Sequence, residues 1–281
     1  MKICRTKAEI REFVAAARVR GESIGLVPTM GALHEGHMSL VKQSVADNAR
    51  TVVSVFVNPT QFGPNEDLAK YPRQLEADAR MCEAARVDAI FAPEPSEMYG
   101  NDFSTYVEET KLSRGLCGVS RPTHFRGVTT VVMKLFNIVQ PDRAYFGQKD
   151  AQQATVIRRM VRDLDVPVEV VVMPTIRESD GLARSSRNKY LEGGLRQEAL
   201  VLSKALAEAE KRLKAGERSA EALKMAMREI IAKAPHARID YVEIVDAETL
   251  ESVNEVRGKA LIALAVFVGT TRLIDNRVLS E

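Results

Sequence analysis

The sequence predicts an α/β protein: a parallel sheet with helices on both faces, followed by a smaller C-terminal α+β domain. Two observations predict the first part. Short β-branched runs alternate with longer helical stretches through the first two-thirds of the chain, and those runs are apolar throughout, as in strands covered on both faces. The third observation is a change of rhythm after about residue 176, where helices come first and strands follow.

Taken in order, residues 24–27, 52–57, 89–92, 144–146 and 168–172 read as strands. Helical patterns lie between them, clearest at 75–86, 128–139 and 152–164. In such sheets ligands collect at the carboxyl ends of the strands, which directs attention to the polar residues there. Residues 174–188 are polar and read as a junction, which places the domains at 1–175 and 176–281. Beyond it, 195–215 and 219–233 are amphipathic and separated at Gly216, and 239–245 and 261–268 read as strands. The longest apolar run, 260–268, is too short to span a bilayer and reads as a buried strand.

Bulk properties narrow the function classes. At 281 residues, with 45% hydrophobic and 28% charged, the chain has the composition of a globular protein of two domains. Forty basic residues nearly balance thirty-eight acidic ones, so the net charge of +2 gives no argument for nucleic acid or an anionic membrane as partner. Cys4, Cys82 and Cys117 are odd in number and scattered, which suggests reduced thiols in a cytoplasm. The N-terminus lacks the apolar stretch of a secretory signal.

Four segments carry chemistry. After the first strand comes Pro28-Thr29-Met30-Gly31-Ala32-Leu33-His34-Glu35-Gly36-His37. Two histidines at i and i+3 share a face if a helix begins near His34. Gly36 leaves backbone open to close approach, and a helix N-terminus suits phosphate. A metal site or a structural histidine pair is the alternative. Zincin helices, however, carry HExxH at i,i+4, and no third ligand is apparent. The chain lacks both the GxxxxGK phosphate loop and GxGxxG. The second strand ends in Phe56-Val57-Asn58-Pro59-Thr60-Gln61-Phe62, where the amides of Asn58 and Gln61 suit the hydroxyls and carboxylates of a small polar ligand. A later strand runs into Gly147-Gln148-Lys149-Asp150-Ala151-Gln152-Gln153. There Lys149 can place an ammonium on phosphate oxygens and Gln153 can point back toward the site. Finally, Arg184-Ser185-Ser186-Arg187-Asn188 sets two hydroxyls between two arginines, a triphosphate-type cluster or else a basic solvated loop.

Together the PTMGALHEGH stretch, the FVNPTQF turn with Tyr71-Pro72-Arg73 after it, the FGQKDAQQ loop and the SSRN cluster closely resemble the pantothenate synthetase family. The resemblance runs over essentially the full length, within the wider HxGH nucleotidyltransferase superfamily. It implies a Rossmann-like N-terminal domain binding ATP and pantoate, a C-terminal lid domain, a homodimer, and ATP with Mg2+. It further implies that His34 and His37 contact the ATP phosphates, with His37 the catalytic donor, and that Met30 to His37 line the nucleotide. Gln61 and Gln153 would hold pantoate, Gln61 also meeting β-alanine. Gly147, Gln148, Lys149 and Asp150 would bind ATP, with Lys149 on its phosphates. Ile176 and the run Arg184 to Arg187 would close over adenine and triphosphate. The chain departs from many relatives at Arg184, where they carry Met or Leu. No set of magnesium ligands is fixed: Asp78 is one candidate, and a metal held largely by phosphates and water is the other. The competing classes are a nucleotidyltransferase without an amine pocket and a nucleotide-binding regulator without turnover.

Overall fold

A computed structural model describes residues 1–64 and 66–279 of the chain. It divides into two compact units, each with its own sheet. The first holds six strands: β1 (Lys2–Cys4), β2 (Ile24–Thr29), β3 (Arg50–Val55), β4 (Ala89–Phe91), β5 (Arg143–Gly147) and β6 (Glu169–Met173). They lie in the order β1-β4-β3-β2-β5-β6, all parallel.

Helices Glu35–Asp47 and Leu75–Ala84 cover one face of this sheet, where Val27, Val53, Ile90 and Tyr145 pack against Leu40, Val41 and Cys82. Helices Lys7–Val19 and His124–Val139 pack on each other and on β4 and β2. Both faces are therefore closed, and this explains the unbroken apolar strands in the sequence. The strand β1 and the helix Lys7–Val19 are among the elements outside the sequence reading. The strand β1 is only three residues long and owes its conformation to pairing with β4, which no local pattern can announce. The helix Lys7–Val19 does announce itself, through a capping box. The Thr6 hydroxyl accepts the Glu9 N–H at 3.2 Å, and the Glu9 carboxylate accepts the Thr6 N–H at 3.0 Å.

The order of strands has one consequence for function. The chain moves outward from β2 to β3 and β4, then returns to the other side of β2 as β5, so a topological switch lies between β2 and β5. Pro28 sharpens it. Phe56 N–H donates to the Thr29 carbonyl, so Thr29 turns its backbone to β3 and Pro28, one residue earlier, turns toward β5. Proline has no N–H to give there, and the β2–β5 pairing stops at Leu26 opposite Ala144 while β2–β3 continues to Thr29 opposite Val55. The sheet opens between the carboxyl ends of β2 and β5.

The second unit consists of Lys111–Ser120, Gln148–Gln152 and the chain from Thr175 onward. Its sheet is antiparallel, β7 (Ala237–Asp246), β8 (Ala260–Val268) and β9 (Thr271–Leu279) in that order. Helices Val201–Lys214 and Ala220–Ile231 supply the apolar cover for one face, around Ile262, Leu264 and Val266. On the other face Leu116 and Ala151 pack with Val245, Leu261 and Ala263. The central strand β8 is buried almost from end to end for this reason. No helix among the described residues is long and apolar enough to cross a membrane.

Charged pairs gather at the amino ends of the parallel strands, away from the opening. Arg50 donates to both oxygens of Glu22 and to Asp88, each at 2.8 Å, while Arg18 pairs with Asp142 at 2.8 Å. The hydrogen bonds from Arg50, then Arg20, hold the Glu22 carboxyl at about 2 against its ordinary 4.5. A carboxyl depressed in the folded state stabilises the fold above its unfolded value and loses that contribution as pH falls toward the folded one. The thermal midpoints of wild type and Glu22→Gln should therefore differ by a constant amount above pH 4.5 and converge between pH 4.5 and about 2, read by thermal melts across that range.

Candidate active site

The turn after β2 is built from the inside. Thr29 Oγ1 donates to the Ser54 carbonyl at 2.7 Å and accepts the Gly31 N–H at 3.1 Å. The Asp78 carboxylate, wholly buried on helix Leu75–Ala84, accepts the next two N–H groups, Ala32 at 3.0 Å and Leu33 at 2.8 Å. Gly31 has φ +82°, and a Cβ there would lie 3.0 Å from both Asp78 Oδ2 and Val55 Cγ1. Ala32 follows at φ +53°, a left-handed conformation that a non-glycine residue adopts at some cost. The backbone donors of residues 31–33 are thus spent inside the protein. Asp78, one of the two alternatives for magnesium, has both oxygens engaged in holding this turn. Among the described residues no group of three or more His, Cys, Asp or Glu is arranged to hold a metal ion.

This turn delivers His34 to the start of helix Glu35–Asp47 as its N-cap. Its Nδ1 accepts the Gly36 N–H at 3.1 Å, which leaves the ring proton of neutral His34 on Nε2, so that Nε2 is a donor. His37 stands one turn on, its ring centroid 4.1 Å from that of His34. The two imidazoles share a face, as the i,i+3 spacing requires.

The turn after β3 is held by a set of buried hydrogen bonds centred on Asn58. Asn58 is fully buried, and its amide is used up: Oδ1 accepts from Thr60 N–H, Thr60 hydroxyl and Tyr99 hydroxyl, and Nδ2 donates to Gln61 Oε1 at 3.0 Å and to the Gly127 carbonyl at 3.1 Å. Asn58 was expected to touch ligand. In the structure its amide is engaged by the protein and holds the turn. Its neighbours fix its orientation, and it in turn fixes Gln61, whose Oε1 is occupied and whose NH2 is left as the end that can meet another molecule. Burial raises the Tyr99 phenol above its ordinary value, so it stays protonated and keeps donating. The Gln61 carbonyl is bonded as well, to His124 Nδ1 at 2.9 Å and Arg121 Nη2 at 3.1 Å, and Arg121 is itself paired with Glu66.

The sequence reading missed Tyr99, Arg121, His124 and Gly127. Gly127 left a signal, a glycine inside an apolar helical stretch. The helix His124–Val139 approaches the turn so closely that an alanine Cβ at 127 would lie 2.3 Å from the Thr60 carbonyl oxygen and 2.9 Å from Gln61 N. After β5, the chain leaves the first unit at Gly147 and re-enters it at Gln153, which is half-buried and whose side chain makes no hydrogen bond to the protein among the described residues. Its neighbour Gln152 is buried and fully committed, donating to the Leu112 and Gly115 carbonyls and accepting from Cys117 N–H. Of the two glutamines, Gln153 is the one with an amide to spare.

In the second unit the turn Gln148–Asp150 carries Lys149, whose ammonium is 4.0 Å from Asp150. The stretch from Ile176 to Arg187 forms a small hairpin: Arg177 bridges Ala183, and Arg184 N–H donates to the Ile176 carbonyl at 2.9 Å. Ser185 caps the short turn Ser186–Tyr190, its Oγ accepting Arg187 N–H at 3.3 Å. Glu178 pairs with Arg184 at 3.2 Å and with Arg196 at 2.7 Å. Burial pushes the Glu178 carboxyl upward, but hydrogen bonds from Asn188 and Arg196 outweigh it and hold the group ionised. The cationic cluster expected at 184–187 is therefore partly balanced by an acidic brace.

Gly127→Ala should destabilise the protein by about 1–3 kcal/mol, the usual range for a group forced into a packed site. A urea midpoint checks it, and an unchanged midpoint would mean that the turn gives way freely.

The chain was then compared with known proteins. The sequence profile of the family described as pantoate-beta-alanine ligase matches residues 2–278. The pantothenate synthetase of Moorella thermoacetica is 59% identical over 99% of both chains, and that of Thermotoga petrophila 57% identical over 99% of this chain and 100% of its own. Among solved structures, pantothenate synthetase from Thermus thermophilus superposes with a TM-score of 0.94 at 46% identity, covering 99% of each chain. The pantoate-beta-alanine ligase of Francisella tularensis, solved with β-γ ATP and β-alanine, superposes with a TM-score of 0.82 at 33% identity, over 99% of this chain and 97% of that one. A profile match from residue 2 to 278, relatives above half identity and a shared fold together show that this chain belongs to the pantoate-beta-alanine ligase family.

Proposed function

We infer that this chain is a pantothenate synthetase, an ATP-dependent ligase that condenses (R)-pantoate with β-alanine through a pantoyl-adenylate, releasing AMP and pyrophosphate. The observation that carries this reading is the family match over residues 2–278. It is supported by the two adjacent, mutually tilted imidazoles at the head of the helix after β2, beside the switch point of the sheet.

The chemistry follows from what must be stabilised. Pantoate's carboxylate attacks the α-phosphorus of ATP, the bond to the β-phosphate oxygen breaks, and pyrophosphate leaves with the negative charge. The amine of β-alanine then attacks the activated carbonyl, and AMP leaves. No protein nucleophile is needed, because the adenylate is already the activated acyl group. His37 is proposed as the donor to the phosphoryl oxygens, with His34 adding its Nε2–H. Lys149 is proposed to meet phosphate oxygens, with Ser185, Ser186, Arg184 and Arg187 on the triphosphate and Ile176 against adenine. Gln61 offers NH2 to acceptor oxygens of pantoate and β-alanine, and Gln153 reads pantoate's hydroxyls. A site that hydrogen-bonds a hydroxyl rejects the analogue lacking it far more strongly than an apolar wall rejects a missing methyl.

Magnesium is proposed to come with ATP, held by phosphates and water rather than by a cage of side chains, as that ion commonly is. No residue of the turn at 31–33 is assigned to it. A homodimer and a cytoplasmic location, both expected from the sequence, belong to the same proposal.

Two experiments test it. Pantoate alone should drive exchange of pyrophosphate into ATP, with no β-alanine present; exchange that needs β-alanine would rule out a free-standing adenylation step. His37→Ala and Lys149→Ala should each slow adenylation by about two to three orders of magnitude, as the loss of one transition-state donor does elsewhere. Single-turnover assays of pyrophosphate release read this, and near-normal rates in either variant remove that residue from the mechanism.

A further inference from the structure

In the second unit, strand β9 carries polar residues where an apolar alternation is expected: Asp275 and Asn276, only 2% and 6% exposed. Neighbours on a strand send their side chains to opposite faces. Asn276 reaches the turn that holds Lys149. Its Nδ2 donates to the Gln148 carbonyl at 2.9 Å and to the Lys149 carbonyl at 2.8 Å, while its Oδ1 accepts from Gln148 Nε2 at 3.1 Å. Asp275 reaches the hairpin that holds Arg184 to Arg187. Its two oxygens accept Arg177 Nη1 at 2.7 Å and Nη2 at 3.0 Å, and Arg177 Nη1 also donates to the Gly181 carbonyl at 3.1 Å. The Asn276 N–H donates to Asp275 Oδ1 at 2.8 Å, so the two anchors brace each other.

We propose that Asn276 is a positioning residue for Lys149, and that Asp275 does the same for the 176–187 hairpin, so that one dipeptide sets both. The proposal rests on the reading of Lys149 as a phosphate contact. Lysine is a point charge on a flexible stem, and its reach is decided by where its Cα is held. The Cα of Lys149 lies between two carbonyls that a single buried amide grips. An apolar residue facing Ala263 would leave the Gln148 and Lys149 carbonyls without this donor. What the amide adds is a fixed position for the turn.

The test separates the two half-reactions. Pantoate-dependent pyrophosphate exchange reads adenylation, and preformed pantoyl-adenylate with β-alanine reads the second step, on wild type, Asn276→Ala, Lys149→Ala and the double variant. Asn276→Ala should slow adenylation by about tenfold to a hundredfold, the scale of a small misplacement of a catalytic group, with a higher KM for ATP. The second step should stay within about twofold of wild type on the same reasoning. The double variant should be no slower in adenylation than Lys149→Ala. If Lys149→Ala is slow and Asn276→Ala is not, Asn276 does not position it. A parallel fall of both half-reactions in Asn276→Ala makes the residue merely structural. Normal adenylation in Lys149→Ala overturns the phosphate role itself, and the proposal with it. If Asn276→Ala does not fold, Asn276→Ser, which keeps one donor, should show the same split between half-reactions at smaller amplitude, and equal loss in both would overturn it.

Discussion

One buried carboxylate sets the first half of the site. Asp78 has no contact with water, and a lone ionised carboxyl in such a place would be costly. Two consecutive N–H groups, from Ala32 and Leu33, meet its two oxygens in charge-assisted bonds, and its place in the first turn of helix Leu75–Ala84 adds a favourable dipole. The consequence is geometric. With those two amides fixed, Gly31 must take a left-handed conformation, and the chain arrives at His34 in the extended backbone that a helix N-cap needs. The imidazole pair follows from that.

The same logic recurs around the other groups proposed to meet ligand. Gln61 is held by Asn58, His124 and Arg121, and its turn is seated against Gly127. The Lys149 turn is held by Asn276. In each case a group proposed to meet ligand is backed by a buried polar residue, Asp78, Asn58 or Asn276, engaged in hydrogen bonds to the protein. Such residues hold a flexible side chain to one position at the moment charge develops. Charge that serves only the fold is kept elsewhere, at the amino ends of the strands with Glu22, Arg50 and Asp88.

Legibility in the sequence divides along this line. The sheet of the first unit was readable because its strands are apolar on both faces, and β8 emerged with the bounds of its apolar run, Ala260–Val268. The imidazole pair was readable because i,i+3 spacing is local. The protein partners of Asn58 were not legible, because an amide next to a proline looks the same whether its partners are ligand or protein. Asp78, Tyr99, Gly127 and Asn276 act at long range, from the 41 positions between Tyr99 and Asn58 to the 127 between Asn276 and Lys149, and no periodicity records that. β9 escaped notice for a related reason: Asp275 and Asn276 break its apolar alternation, and the residues that hide the strand are the anchors it carries.

The cover on the far face of the second sheet bears on how the chain can be made and divided. Leu116 and Ala151, which pack with Leu261 and Ala263, come from segments that lie inside the sequence of the first unit. A fragment beginning at residue 176 would lack them and would present Val245, Leu261 and Ala263 to water. During synthesis the covering segments leave the ribosome more than a hundred residues ahead of the strand they cover, and contacts of such long separation close late. The second unit therefore completes only when nearly the whole chain is available. Cutting the protein at its apparent boundary does not yield two proteins.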